Sequence, residues 1–523
     1  MKMVKSLLLG TAAGLVAVAG AQAADMPVKA APVNYVKICS LYGDGFYYIP
    51  GTDICLKIGG YVRGEYFYNY GSSGTNGPFA GVSGTKDRFD GQDFLMRTRA
   101  YAWFDSRQQT EYGTLRSYLQ IGVNYDSPGS TNTNFSANRA FIQFAGFTIG
   151  TAQSFYDFYS APASSFFGPP SSDTGDSGWK VFAYTAQYGN GFSATFSFEE
   201  PRAIAAVSGG TPATNAGILN TQFGNPLIGT TSDVDRAKIR FPDIVQNWRV
   251  DQAWGSAQLM VAAHDASAGY FANSAAGCVS AVQGAAAVGT ITGSEVCGHP
   301  ADKLGWAVGG GSKFNLAQGD YFQWQVNYTQ GAVRYAAQTI PGGFGGVNQF
   351  NGGSLGYGFF SDGVVNTQTG DVQLTTAIGV NAAYDHLWTP QLRTSVYGSW
   401  LTTRYSDAAN TAICNAQTNS AAGAVSFQGG IVAPGPAGAL LGSSTIGGCS
   451  NNWNLWMVGS RSQYNFTPWF YVGFDVLYAK IETASNGAIV TYTTNTAKPT
   501  ALYSVTNQDN YGLRIRVHRD LVP

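Results

Sequence analysis

Five arginines share one kind of position in the first third of the chain. Arg63, Arg97, Arg99, Arg116 and Arg139 each sit on the polar side of a run in which apolar and polar residues alternate. Arg97 and Arg99 are two apart, so an extended chain puts them on one face. Further on, residues 154–176 read SFYDFYSAPASSFFGPPSSDTGD, with Asp157, Asp173 and Asp176 and no basic residue. Loop acids facing wall arginines across a water-filled gap would set up a transverse field. Such a field orients dipolar solutes and disfavours apolar ones, whose entry strips ordered water without replacing its hydrogen bonds. The plainer alternative is charge balance, each arginine pairing with a nearby carboxylate such as Glu65, Asp105 or Asp126. Asp173 and Asp176 lie in a Ser/Gly/Asp-rich segment that also suits ordinary turns.

No other constellation points to chemistry. The four histidines, His264, His299, His386 and His518, are scattered and assemble no Ser/His/Asp arrangement. PGGFGGVNQFNGG, at 341–353, is Gly-rich but lacks the lysine and the helix of a phosphate loop. The chain is therefore not read as an enzyme, and no metal or cofactor is expected. Six cysteines fall into three local pairs: Cys39 with Cys55, Cys278 with Cys297, and Cys414 with Cys449. With no C-x-x-C present, they indicate disulfides in an exported protein. The local pairing is the first choice, and connectivity among six stays open.

The elements that must position these residues are strands. Only 12% of residues are charged, about half the usual ~25%. Aromatics make up 14%, and 67 of 523 residues are glycine. The N-terminus reads as a cleaved export signal over residues 1–23: Lys2 and Lys5, an apolar stretch from Leu7 to Val18, then Ala21-Gln22-Ala23. Residues 24–56 form a short periplasmic segment holding the first cysteine pair, and 57–523 the main domain. No later segment reaches ~18 uninterrupted apolar residues, so no membrane helix is expected. Period-2 runs dominate instead. LRSYLQIGVNYD puts Leu115, Leu119, Ile121, Val123 and Tyr125 on one face, with Arg116, Tyr118, Gln120, Asn124 and Asp126 on the other. About sixteen such runs occur, many of ten residues or more, enough to cross a bilayer at a tilt. Short connections, such as 145–146, 189–191, 253–255 and 465–468, alternate with long ones near 71–91, 127–136, 154–178, 201–242, 267–302, 332–369, 406–452 and 484–502.

This pattern predicts an all-β fold: a 16-stranded antiparallel transmembrane β-barrel with short periplasmic turns and long external loops. Sixteen strands leave an aqueous channel rather than a packed interior. Passage of solutes follows, with the polar faces lining water. Outward aromatics such as Tyr66, Tyr68, Tyr70, Phe94, Phe104, Phe470 and Tyr478 suit interfacial girdles. Gly60 and Gly64 would permit close approach of a neighbouring subunit. The loop at 154–176 carries Phe155, Tyr156, Phe158, Tyr159, Phe166 and Phe167. That is much aromatic surface for an exposed connection.

Several stretches resemble the alphaproteobacterial, rhizobial-type porins: CSLYGDGFYYIPGTDICLKIGGYVRGEY (39–66), RTRAY (97–101), RAFIQFAGFTIGTAQSFYDF (139–158), DIVQNWRVDQAWGSAQLMVAAHDA (243–266) and LRIRVHRD (513–520). The resemblance implies a trimeric, general-diffusion porin of the bacterial outer membrane whose third external loop folds into the pore. Its partners would be further copies of itself, outer-membrane lipid and lipopolysaccharide, and small hydrophilic solutes and ions, with no nucleic acid. A solute-specific channel is the rival function.

Overall fold

Alternation turns into architecture when the apolar face needs no water and the polar face does. In the computed structural model, sixteen strands carry out that division. They are β1 (Cys55–Tyr68), β2 (Phe94–Thr110), β3 (Gly113–Ser127), β4 (Asn134–Phe144), β5 (Phe147–Ala152), β6 (Trp179–Gly189), β7 (Phe192–Glu199), β8 (Asp243–Gln252), β9 (Gly255–Asp265), β10 (Leu304–Asn315), β11 (Tyr321–Gln330), β12 (Thr376–Leu387), β13 (Leu392–Arg404), β14 (Trp453–Thr467), β15 (Phe470–Glu482) and β16 (Gln508–Asp520). The structure describes residues 37–68, 94–127, 134–175, 178–202, 216–219, 240–267, 301–338, 346–366, 371–418, 424–425, 431–432, 450–492 and 501–521. The export signal, Tyr70, Asp176, Cys278, Cys297, His299 and Cys449 lie outside the described residues, as does the side chain of Cys414.

Each strand pairs antiparallel with its sequence neighbours, and β16 returns to β1, with Glu65 opposite Arg516 and Tyr61 opposite Asp520. Closure leaves no strand edge with unpaired backbone groups, which hydrocarbon does not tolerate. The tight turns obey local chemistry. The β4–β5 turn places Ala145 and Gly146 at φ 49° and 88°, a positive-φ pair that matches the twist of a hairpin.

The lipid-side face is apolar: Tyr66, Phe94, Phe135, Phe182, Trp306 and Trp400 are among its exposed large residues. Gly64 has open space where a Cβ would stand. Gly60 does not serve a neighbour in this way. Its missing Cβ makes room for the Tyr101 carbonyl and Leu521, and its own carbonyl accepts Leu521 N–H at 2.8 Å.

The packed core lies inside the barrel, which inverts the arrangement of a soluble protein. Tyr397, Leu401, Trp453, Leu455, Leu477 and Ile481 point inward from β13–β15. They meet residues of the long connections, including Val333, Ala336, Leu355, Tyr357, Phe359 and Phe360. Parts of those connections form small sheets of their own, such as the hairpin Gly346–Asn351 with Ser354–Phe359.

The N-terminal unit, described by itself, is a small knot. Tyr47–Tyr48 pairs antiparallel with Cys55 and Leu56, and Cys39 is bonded to Cys55. Both cysteines and Phe46 are buried, with Tyr42 and Tyr48 packed against them.

Candidate functional site

The third long connection, described over residues 153–175, lies inside the barrel and is bound to the inner wall along its length. Asn247 of β8 donates to Phe155 O at 2.6 Å, and Gln258 of β9 donates to the same carbonyl at 3.2 Å. Gln325 of β11 holds the loop in both directions, accepting Tyr159 N–H at 2.7 Å and donating to Ser172 Oγ at 2.7 Å. Gln323 and Tyr321 donate to the carbonyls of Ser160 and Ala163 at 3.0 and 2.9 Å. Asn381 of β12 and Ser395 of β13 donate to the carbonyls of Pro170 and Ser164. Inward polar side chains of a barrel have few strand partners of their own; here they satisfy the backbone of a loop that otherwise loses water.

The loop's aromatics are seated where the wall has no side chain. A Cβ on Gly311 would come within 2.7 Å of the Phe158 ring, and one on Gly309 within 2.9 Å of the Tyr156 hydroxyl. The Phe166 ring occupies the space of a Gly473 side chain. Tyr156, Tyr159, Phe166 and Phe167 are all buried. We therefore expect Gly473→Val to displace the loop tip at about 1–3 kcal/mol, a cost typical of overpacking. A lower unfolding temperature together with altered channel conductance checks this.

Two clusters of buried charge hold the loop at its root and its tip. At the root, Arg202, which follows β7, donates to Asp157 Oδ1 and to Ser154 Oγ, both at 2.7 Å, and to the Ser172 carbonyl at 2.7 Å. Both side chains of the Arg202–Asp157 pair are fully buried. Burial opposes the charge on Arg202, yet Asp157 with neighbouring groups outweighs it and holds the guanidinium above its ordinary range. The other Asp157 oxygen accepts Thr174 N–H at 2.7 Å and Thr174 Oγ1–H at 2.5 Å. Glu199 accepts Phe155 N–H at 2.9 Å and Ser154 Oγ–H at 2.5 Å. Behind Arg202, Tyr335 donates to Asp243 at 2.7 Å, and His264 lies between Asp243 at 2.7 Å and Asp362 at 3.2 Å. At the tip, Asp475 of β15 accepts Phe166 N–H at 2.6 Å and Tyr397 O–H at 2.7 Å, while Arg514 of β16 donates to the Phe166 carbonyl.

The five arginines all face the lumen, from β1 to β4. Arg97 makes a bidentate pair with Asp126 at 2.6 and 2.7 Å. Arg99 donates to Asn124 at 2.6 Å and lies over the Tyr101 ring. Arg116 chelates Asp105 at 2.9 and 3.0 Å and donates to Gln143 at 3.0 Å. Arg63 donates to His518 Nδ1 at 3.3 Å. Arg139 reaches the loop itself, donating to the Gly175 carbonyl. It does so because a register shift opposite Gln120 and Ile121 lets Asn138 and Arg139 both turn inward.

One loop acid, Asp157, is placed differently from the expectation of carboxylates facing water. Asp157 is buried against Arg202 and does not face the wall arginines, because the loop needs its carboxylate internally. Asp173 accepts the N–H groups of Gly175 at 2.8 Å and Ala161 at 3.3 Å, as a turn residue does. Arg202, Glu199 and Asp475 are the residues that sequence reading missed. They lie 45, 44 and more than 300 positions from their loop partners, so no local spacing marks them.

A closed sixteen-stranded barrel, apolar outside and polar inside, with its third long loop held within, has the architecture of an outer-membrane channel. The outer membrane channel DcaP of Acinetobacter baumannii has this fold, with a TM-score of 0.52 and 13% identity over 91% of this chain and 99% of that one. A family model described as a porin subfamily matches residues 25–513, and the chain belongs to that family. Porin Omp2a of Brucella ovis is 34% identical over 221 residues, covering 38% of this chain and 59% of the relative. Porin Omp2b of Brucella suis is 30% identical over 272 residues, covering 50% and 66%. The chain thus spans less than two thirds of these relatives' own length.

Proposed function

We propose that the protein is a general-diffusion porin, a water-filled channel that lets small hydrophilic solutes and ions cross a bacterial outer membrane. The observation that carries this reading is the loop over residues 153–175, bound to the inner wall of a closed barrel, with Arg99 and Arg116 held on the lumen face of β2 and β3 by Asn124 and Asp105. In this reading the chain is exported by a cleaved leader, assembles as a homotrimer, and meets lipid and lipopolysaccharide on its outer face. Arg63, Arg99, Arg116 and Arg139 form the basic side of the narrow segment, and the loop backbone forms the other.

The purified, folded protein is expected to open stepwise conductances in planar bilayers. Their size should rise nearly in proportion to salt, with insertions in groups of three. Folded protein that opens no conductance refutes the reading.

A solute-specific channel is favoured by one observation. Phe166 at the loop tip and Tyr471, His518, Tyr61 and Tyr101 on the wall form a row of rings, with successive centroids 6.3, 4.7, 4.9 and 5.5 Å apart. Uptake that saturates with the concentration of one solute would support that reading, and uptake linear for many solutes supports general diffusion.

A further inference from the structure

We propose that the channel selects small anions, inorganic ions and organic carboxylates or phosphates alike, and that two net-positive clusters near its short-turn end set this preference. The inference rests on the pore reading and gives it a substrate class.

In the first cluster, Asp105 is shared by two arginines, Arg107 at 2.7 Å and Arg116 at 2.9 Å. In the second, Asp385 is shared by Arg393 at 2.7 Å and Arg461 at 2.8 Å. Next to it, Lys313 sits 4.5 Å from the ring centre of Tyr321, whose side chain lines the same stretch of wall. One carboxylate between two guanidinium groups leaves one formal positive charge, and Lys313 adds another. Both clusters lie close to the turns at 111–112 and 388–391, on opposite sides of the β14–β1 wall.

Except for Arg461, whose side chain is 4% exposed, the cationic groups of these clusters are open to the channel. The side chains of Arg107 and Arg116 are each 27% exposed, and Arg393 is 30% exposed. A guanidinium carries five N–H donors in a planar fork, and that fork fits a carboxylate or phosphate better than it fits a hydrated cation. A third shared carboxylate, Glu65 between Arg516 and Arg514, contributes less. Those three side chains are 8% exposed or less, under the loop tip, and Asp475 is near Arg514. At the loop root Asp157 is paired with Arg202, and Glu199 and Asp243 accept hydrogen bonds from buried groups. The whole chain has a formal charge of −1, so the positive sign belongs to this stretch of lumen and not to the protein at large. Fixed charge lining a narrow, low-dielectric passage concentrates the opposite ion.

The test is the reversal potential of folded trimers in a potassium chloride gradient. The expected ratio of chloride to potassium permeability is roughly 3 or more at 0.1 M salt. It should fall towards 1 at 1 M, where the screening length shrinks from about 10 Å to about 3 Å. Arg107→Gln with Arg393→Gln makes the Asp105 cluster neutral and halves the excess at Asp385, yet leaves each aspartate one arginine. That double variant should lower the ratio at least twofold. A ratio at or below 1 from conducting parent channels overturns the anion inference and leaves the pore reading standing. Absence of any conductance sinks the pore reading instead. An unchanged ratio in the folded double variant, or a parent ratio that ignores salt, overturns the assignment to these clusters. Should the double variant not insert, the parent salt series alone decides.

Discussion

Arg202→Met should unfasten the root of the inner loop and cause a large loss of stability. Arg202 and Asp157 are both fully buried and 2.7 Å apart. Removing one partner strands the other charge in a site without water, which typically costs about 3–5 kcal/mol. The damage goes beyond the pair, because the same guanidinium also holds Ser154 Oγ and the Ser172 carbonyl on the two arms of the loop. The folded protein should unfold at a clearly lower temperature, read as heat-dependent mobility on a gel. Surviving channels should be wider and noisier, because the loop would sample positions off the wall. Asp157→Leu alone should cost a similar amount. The double variant Arg202→Met with Asp157→Leu should cost less than the sum of the two, since no charge is left unpartnered; the coupling should approach 3 kcal/mol. Strictly additive losses would show that the pair is not the fastening. The same reasoning removes Asp157 from the candidates for setting ion selectivity directly.

That reversal of role shows where sequence reading stops. The barrel is legible because each strand face meets one medium. Lipid on one side and lumen on the other force a period of two, and closure with every pairing antiparallel then requires an even ring of strands. Parity alone places Arg63, Arg97, Arg99 and Arg116 on the inner face. It leaves open what each touches there. Arg97 meets Asp126 as simple charge balance, while Arg139 turns to the loop through a bulge that no alternation reveals. Two strand boundaries differ from the alternating runs for a related reason. Residues 371–385 read in the sequence as one alternating run, yet they form two elements: Asp371–Leu374 pairs with Gly363–Asn366, and β12 begins at Thr376. Residues 503–517 likewise read as one run, yet Ala501–Val505 is a strand of a loop sheet and β16 begins at Gln508. Alternation reports that a segment is extended and two-sided, not which partner takes its edge. The placement of Asp157 is missed for the same kind of reason: a carboxylate in a polar loop looks alike whether it faces water or a buried arginine 45 residues away.

Asp475→Ala should free the other end of the loop. Its carboxylate accepts Phe166 N–H at 2.6 Å and Tyr397 O–H at 2.7 Å, and also lies 3.4 Å from Phe167 N. All three donors are buried, and each donor left unsatisfied costs about 1–3 kcal/mol. The protein can avoid that cost by letting the tip leave the wall. Phe166 would then lose its seat on Gly473 and its contacts with Arg516 and Arg461, whose guanidinium carbons lie 4.0 and 5.5 Å from the ring centre. The effect on the channel therefore differs from that at the root. Root variants loosen a pair of arms, whereas this one moves the aromatic tip and uncovers Arg514 and Arg516. Conductance should change by a factor of about two, and anion preference should rise because buried cations become exposed as one acid is lost. Asp475→Asn keeps one acceptor oxygen and should fall between parent and alanine variant in both readouts. Parent-like conductance and reversal potential from folded Asp475→Ala protein would mean that the tip is held by its aromatic seat alone, and the combination Asp475→Ala with Gly473→Val would then be the variant that moves it.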